Sequence, residues 1–526
     1  FICRSKETPA LISIGNTVSV KDADRYVTGL DDEGFLLEDA AEYTNRTELG
    51  DLYYKAMKKR AVTLLKRLGY SAKEARQMFD RVIAFEGKLA KAAYTSADMM
   101  DPAYAQRSCN EMNYGQVIKL TKNFPMKAYI KGMGYGKSKK FNISNPAYIK
   151  KVDSLYTKKN LNSIKEYMLV GYILENIEFL DKKAFDVAIE TDNMITGATG
   201  RKAYQEYGYQ TVAYALPDAL QRLYLEQNNA VEKQKKIIDL CEKIAREYRR
   251  MLEENTWLSK ATKAKAIEKL DAMKLNAVIP EQLKDYAGLE LKGKSLFEDY
   301  KRIIRYYNEC DIALINQKVN KDAWYTSTLE TNAFYDAGNN SINILLGILG
   351  GEFYRDDMSE EELYSGIGMV IGHEISHAFD PTGSQFDAKG NYANWWTDED
   401  RAAFDARARK LIDYFNRITA FDGKKVSGKN VQGEAIADLT SLQCMLRLAK
   451  GKKDFDYDQF FRHYASIWRS YTTAQYENYR LKQDEHPLAY LRVNAMVQQF
   501  EEFYQTYNVK SDAQMYLAPE KRLSIW

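Results

Sequence analysis

The feature that most constrains this chain is the run Ser365-Gly366-Ile367-Gly368-Met369-Val370-Ile371-Gly372, which leads directly into His373-Glu374-Ile375-Ser376-His377. An apolar stretch carrying three glycines suits a helix packed closely against its neighbours, not one facing water. Glu360, Glu361 and Glu362 stand at the expected helix start, where they complement the macrodipole, and Pro381 supplies a stop signal. On such a helix, positions i and i+4 lie one turn apart on one face. The two imidazoles can therefore close on one metal ion while Glu374 leans toward a water beside it. A bare HExxH also occurs on ordinary amphipathic helices. Here the chain has four histidines, two of them in this pentapeptide, and the flanks are not those of a solvated helix.

A hydrolytic zinc site takes three protein ligands and keeps one position open, so a third ligand is needed downstream. Glu434 fits that need. It opens the run Glu434-Ala435-Ile436-Ala437-Asp438, whose apolar positions continue through Leu442, Met445 and Leu446 with helical spacing. Glu434 and Asp438 then stack on one helix face. Glu434 can ligate the metal while Asp438 reaches the far nitrogen of a ligand histidine and fixes its tautomer. Asp380, three residues after His377, is placed for the same service to the other imidazole.

Residues 366–380, followed by Asp387, Gly390 and Asn394-Trp395-Trp396-Thr397, resemble the active-site helix and following loop of the neprilysin and endothelin-converting enzyme family of zinc endopeptidases. The bacterial oligopeptidases of that family are the closer comparison. Asn332-Ala333-Phe334-Tyr335 resembles the family's substrate-binding element, and the segment from Gly433 to Asp438 resembles its third-ligand helix. Asp484-Glu485-His486-Pro487 and Arg492 resemble its transition-state and substrate-anchoring segment, and Pro519-Glu520-Lys521 and Trp526 resemble its closing residues.

The resemblance implies one Zn2+ per chain, held by His373, His377 and Glu434. It implies hydrolysis of oligopeptides by water attack, with Glu374 as general base, His486 stabilising the oxyanion and Asp438 assisting. Asp380, Asp438 and Asp484 would orient imidazoles. Asn332 and the Ala333 carbonyl would hold the substrate backbone, and Arg492 a substrate carbonyl. Ile348, Phe353, Met369, Val370, Ile467 and Trp468 would line the pocket for the residue after the scissile bond. All six are apolar, so cleavage is expected on the N-terminal side of large hydrophobic residues; the alternative for them is a place in the core. The stretch 341–346 reads as a strand after the Gly338-Asn339-Asn340 turn, beside which a peptide could add by main-chain hydrogen bonds. The chain departs from the family in two places. Leu439-Thr440-Ser441 stands where a Gly-rich pair is usual, and Gly350-Gly351-Glu352 replaces a proline-rich loop.

The expected fold is mainly α, with helical patterns over 51–68, 71–93 capped by Ser71, 160–180, 205–226 and 231–254. The resemblance implies two helical lobes enclosing a central cavity, the catalytic lobe thermolysin-like with a small β element. The boundary is placed near residue 270: 1–270 closes the cavity and is incomplete at its N-terminus, and 271–526 is catalytic.

At 526 residues and 45% hydrophobic content, the chain is large enough for two cores. A net charge of +3, from 76 basic and 73 acidic residues, gives no case for a nucleic-acid partner or an anionic membrane surface. No apolar stretch approaches the roughly 18 residues of a transmembrane helix. The five cysteines, Cys3, Cys109, Cys241, Cys310 and Cys444, are odd in number and scattered, so they form no disulfide framework or metal cluster. Animal ectodomains of the family are disulfide-rich, so this scarcity favours a bacterial member; a monomer is expected, secreted or envelope-anchored, with a cytoplasmic setting left open. Two other readings stay in view. A peptide-binding surface component has no need of Glu374 as a base. A zinc exopeptidase needs a charged cluster for a free terminus, and none flanks the metal motif.

Overall fold

Helix signals in the sequence are met by side-chain caps where they are strongest. The computed structural model describes residues 10–228, 230–324 and 326–526, so Cys3 lies outside the described residues. Ser71 accepts a hydrogen bond from the Glu74 amide while the Glu74 carboxylate accepts from Ser71 N, a reciprocal box that starts helix Ala72–Ala90. Thr47 caps Glu48–Arg67 in the same way, without the return bond. Two expected helices are interrupted. The 160–180 pattern breaks after Leu161–Glu175, where buried Asn176 donates its side-chain amide to the Tyr172 carbonyl at 2.8 Å. The 205–226 pattern breaks into Tyr204–Ala215 and Pro217–Gln227, because Pro217 has no amide to continue the ladder.

The chain divides into two compact units. One runs to Ala215 and takes in Asp285–Val319 and Thr473–Tyr479; the other comprises Leu216–Lys284, Asn320–Thr472 and Arg480–Trp526. This differs from a single cut near residue 270, since the chain passes between the units more than once.

In the first unit, α1 (Glu48–Arg67), α2 (Ala72–Ala90), α3 (Leu161–Glu175) and α4 (Lys182–Thr196) surround an apolar core that includes Leu64, Phe79, Phe85, Tyr167 and Ala188. A four-stranded sheet accompanies them: β1 (Ser13–Val18), β2 (Tyr26–Asp31), β3 (Glu111–Asn113) and β4 (Lys140–Ile143), in the order β1-β2-β4-β3. β2 and β4 run parallel, with Thr28 opposite Phe141, and the outer pairs are antiparallel. The helical patterning of the sequence gives no sign of this sheet.

The second unit is built on α5 (Ala230–Glu254), α6 (Lys260–Asp271), α7 (Met369–Ser376), α8 (Gln432–Ala449), α9 (Tyr457–Ile467) and α10 (Ala489–Val497). α5 buries Ile237, Leu240, Cys241, Ile244, Tyr248, Met251 and Leu252 along one stripe, each large aliphatic contributing about 1.5–3 kcal/mol. Within that stripe the Tyr248 hydroxyl donates to the Gly372 carbonyl at 2.6 Å. This packing against α7 is why α5 belongs with the HExxH helix and not with the unit that runs to Ala215.

A three-stranded sheet, β5 (Lys274–Ala277), β6 (Ala333–Asp336) and β7 (Ser341–Ile344), has the order β5-β7-β6. β7 pairs parallel with β5 and antiparallel with β6, and all four of its residues are buried. The strand expected at 341–346 is therefore present but central. It has no free edge for a peptide; among the described residues the strands of this sheet with one partner are β5 and β6. Among the described residues, no helix is long and apolar enough to cross a membrane.

Candidate active site

α7 arrives at its histidines fully buried. Ser359 caps the preceding turn, with Glu362 closing the box, and the backbone then runs through a wide turn over Tyr364–Gly368 into Met369–Ser376. The glycines permit close approach to α8. A Cβ at position 372 would fall 2.5 Å from the Ser441 hydroxyl, which donates to the Met369 carbonyl at 2.7 Å. Ser441, part of the Leu439-Thr440-Ser441 departure, thus fits a small polar side chain against a glycine and satisfies it.

His373 and His377 present their rings edge to face with centroids 4.6 Å apart, as i and i+4 on the last turn require. Glu434, in the first turn of α8, completes the group: the three potential ligand atoms lie within 4.8 Å of one another. His373 Nε2 is 3.0 Å from Glu434 Oε2 and 3.0 Å from His377 Nε2. Both inward nitrogens and the carboxylate converge on one point, and both outward nitrogens are already occupied. His373 Nδ1 is 2.8 Å from Asp438 Oδ1, and His377 Nδ1 is 2.7 Å from Asp380 Oδ2. This donor set, two imidazoles and a carboxylate with carboxylates on the far nitrogens, fits a divalent metal of the zinc type. Glu374, between the histidines, is itself buried and acts electrostatically on His377.

Charge holds the cluster together. Burial opposes the charge on Glu434, and the His377 and His373 imidazoles outweigh it, keeping the carboxyl well below the usual range. Burial likewise lowers His377, but Glu434 and Asp380 lift it to about 10. Asp438 accepts from both Nε and Nη2 of Arg492, at 2.8 and 2.6 Å, and its carboxyl is held low against burial by that guanidinium and by His373. Arg492 also lies 3.9 Å over the Trp468 ring, and the Tyr464 hydroxyl anchors its backbone carbonyl at 2.6 Å.

His486 approaches from the loop before α10. Its Nε2 is 3.1 Å from Glu434 Oε2, and its Nδ1 is 2.7 Å from Asp484 Oδ1. Its side chain remains 38% exposed, unlike the two metal-site histidines. Burial pulls its pKa down, and Asp484 and Glu434 raise it to about 10. Asp484 in turn accepts from Arg480 Nε at 2.8 Å.

Of the residues expected from the sequence to face substrate, Asn332 is exposed and accepts from the Ala333 amide at 3.0 Å at the start of edge strand β6. Ile348, Met369, Val370 and Ile467 are buried within the main apolar cluster, while Phe353 and Trp468 are only partly buried, their rings perpendicular with centroids 6.4 Å apart. Gly350-Gly351-Glu352 forms consecutive tight turns, with Phe353 N bonded to the Gly350 carbonyl and Gly351 at φ +57°. Glu352 accepts from Ser466 Oγ at 3.2 Å.

The family model described as peptidase family M13 matches residues 332–523, and a second model of the same description matches 3–280. The chain belongs to peptidase family M13. It is 30% identical over 472 residues to the neutral endopeptidase of Lactobacillus helveticus, covering 89% of this chain and 72% of that protein. It is 26% identical over 404 residues to human neprilysin, covering 72% of this chain and 54% of that protein. Among solved structures, PepO from Lactobacillus rhamnosis HN001 superposes with a TM-score of 0.92 at 26% identity, covering all of this chain and 83% of that one. The inhibitor complex of Mycobacterium tuberculosis zinc metalloprotease Zmp1 gives 0.92 at 25% identity, with 100% and 82% coverage. This is a mainly α, neprilysin-family metalloendopeptidase whose candidate metal ligands are His373, His377 and Glu434.

One contributor escapes a reading of motifs. Lys269 of α6 is buried beneath the loop that follows His377 and hydrogen-bonds three of its carbonyls. The only signal for it is a lysine on an otherwise polar helix, which reads as solvated.

Proposed function

We propose that this M13 peptidase binds one Zn2+ per chain through His373, His377 and Glu434, acts as a monomer, and cuts oligopeptides on the N-terminal side of large hydrophobic residues. The observation that carries the reading is the convergence of three ligand atoms within 4.8 Å beside buried Glu374, with both outward imidazole nitrogens already held by carboxylates. Held by these three residues, zinc would supply Lewis acidity, acidifying water and polarising a carbonyl.

The chain's own residues do the rest. Glu374 takes the attacking water's proton on a carboxylate oxygen and delivers it to the leaving amine nitrogen. His486 holds a proton on Nε2 and donates it as a hydrogen bond to the oxygen on which charge develops. Asp484 on Nδ1 keeps that imidazole protonated and aimed. Asp438 fixes the His373 tautomer and Asp380 that of His377. Asn332 and the Ala333 carbonyl, at the start of the edge strand, hold the substrate main chain. Arg492, with Nε and Nη2 committed to Asp438, has Nη1 for a substrate carbonyl. Phe353 and Trp468 offer the accessible apolar walls for the residue after the scissile bond, backed by Ile348, Met369, Val370 and Ile467.

The test is a peptide blocked at both ends with a central Phe or Leu, its products read by mass spectrometry. Wild type should cut before the hydrophobic residue. Glu374→Gln should lose about 10²–10⁴-fold in rate while keeping its metal, and chelation should abolish cleavage until zinc is restored. Cuts confined to unblocked peptides would make the protein an exopeptidase. Undiminished cleavage by Glu374→Gln would remove Glu374 from the chemistry.

A further inference from the structure

The residues that orient His373 come from helices, but Asp380, which meets His377, sits on a loop with little regular structure of its own: a short turn over His377–Phe379 and another over Gly383–Gln385. Its course nevertheless has little room to vary. Asp380 Oδ1 accepts from the Thr382 and Gly383 amides at 2.7 and 2.6 Å, turning the chain back on itself. Gly383 lies so close to the preceding turn that a Cβ there would fall 1.8 Å from the His377 carbonyl oxygen. Such a reversal turns several carbonyls toward the buried Lys269 side chain, and an unmet buried carbonyl is costly.

Lys269 meets them. Its ammonium has three protons and donates to three carbonyl oxygens: Ala378 at 2.9 Å, Gly383 at 2.7 Å and Phe386 at 2.7 Å. The side chain is 1% exposed, and its ammonium lies 5.8 Å from the Tyr335 ring centroid and 6.0 Å from that of Trp395. Trp395 and Trp396 also tie this loop, donating to the Phe386 and Ser384 carbonyls, each at 3.0 Å. The carboxylates facing the ammonium are Asp380 and Asp387, and neither is in contact as an ion pair; burial, only partly offset by these two, lowers the pKa to about 7. A bare structural filler here need carry no charge. What the ammonium adds is a single point on which the residue after His377 and both limbs of the reversal converge.

We propose that Lys269 is a positioning residue for the metal centre: by pinning the carbonyls of Ala378, Gly383 and Phe386 it holds Asp380 against His377 Nδ1 and so fixes the imidazole toward the ion. The proposal rests on the zinc reading above. It treats Lys269 as acting through Asp380, not on substrate, and this sets the readouts.

The experiment uses the zinc-loaded full chain with Lys269→Met, Lys269→Gln, Asp380→Asn and the Lys269→Met/Asp380→Asn double variant. Zinc release into excess chelator, kcat and KM on a blocked peptide, and the thermal midpoint of the metal-free protein are measured for each. Zinc uptake by wild type comes first: without it the metal reading fails, and the proposal with it. Lys269→Met should weaken zinc retention by about 10- to 100-fold, the range for losing an orienting partner of a ligand, and should lower kcat with KM unchanged. In the Asp380→Asn background the same substitution should add less than about twofold, because the two residues serve one function. A Lys269→Met protein with a lowered thermal midpoint but wild-type zinc release and kcat would reduce Lys269 to structural support and overturn the proposal, as would full additivity in the double variant. If Lys269→Met does not fold, Lys269→Gln decides: it retains two donors, so zinc release between wild type and Asp380→Asn supports the proposal, and a wild-type rate sinks it.

Discussion

The two imidazoles of the HExxH turn have the same requirement and meet it with opposite architecture. His373 is oriented by Asp438, which stands on α8 and is itself clamped by two nitrogens of Arg492 from α10, so its support is helix against helix. His377 is oriented by Asp380, which stands on a loop and is fixed by backbone amides and by the carbonyl cage around Lys269. A carboxylate within 2.8 Å of Nδ1 is the outcome in both cases. The difference teaches where rigidity comes from. A helix-borne partner is held by apolar packing and a buried ion pair, whereas a loop-borne one needs its backbone polar groups satisfied one at a time.

The comparison is broken most directly at Asp438. Asp438→Asn leaves the Arg492 guanidinium buried without its counter-charge, a loss expected to destabilise the fold by about 3–5 kcal/mol, read by urea unfolding of the metal-free protein. Unchanged stability would mean that the helix side is held by packing alone. Asp380→Asn should behave differently. The amide oxygen can still accept from Thr382 and Gly383, so stability should fall little, while zinc affinity should drop by about 10- to 100-fold, measured by competition with a chelator. A large loss of stability here would erase the distinction between the two sides.

How much of this was legible in the sequence follows the same division. The helix side announces itself, because His373 and His377 share an i, i+4 face, and so do Glu434 and Asp438; periodic apolar neighbours mark both helices as buried. Asp380 is legible from its distance of three residues. Lys269 is not: its partners lie 109 to 117 residues downstream, and its helix, Lys260–Asp271, carries charges that read as solvent-facing. The strand at 341–344 could be read from its residues, but its place at the centre of the sheet could not, since that depends on Lys274–Ala277 arriving in parallel from a distant segment. The β1–β4 sheet was illegible for a related reason. Its strands are three to six residues long, and the pairing of β2 with β4 spans more than a hundred residues. The unit boundary escapes because the chain returns at Asp285–Val319 and again at Thr473–Tyr479.

His486 sharpens the comparison as a third imidazole with a carboxylate on Nδ1, this one partly exposed and supported from two residues away. Asp484→Asn removes that support without touching a metal ligand. The pKa of His486, raised to about 10 against the pull of burial by Asp484 and then Glu434, lies above its unfolded value near 6.5. In the metal-free protein the linked stability is therefore fully present below about pH 6.5 and is lost as pH rises through about 10, and hydrogen-bond donation by the ring likewise requires its proton. Losing a neighbouring opposite charge lowers such a pKa by about 1 to 3 units. At pH 6 the ring stays protonated in both proteins, so kcat should differ little there. On the alkaline side, the limb of the kcat/KM profile should move to lower pH by that amount in Asp484→Asn, with the acid limb in place. A uniform loss of activity at every pH, with the limb unmoved, would show that Asp484 orients the ring and contributes nothing to its charge.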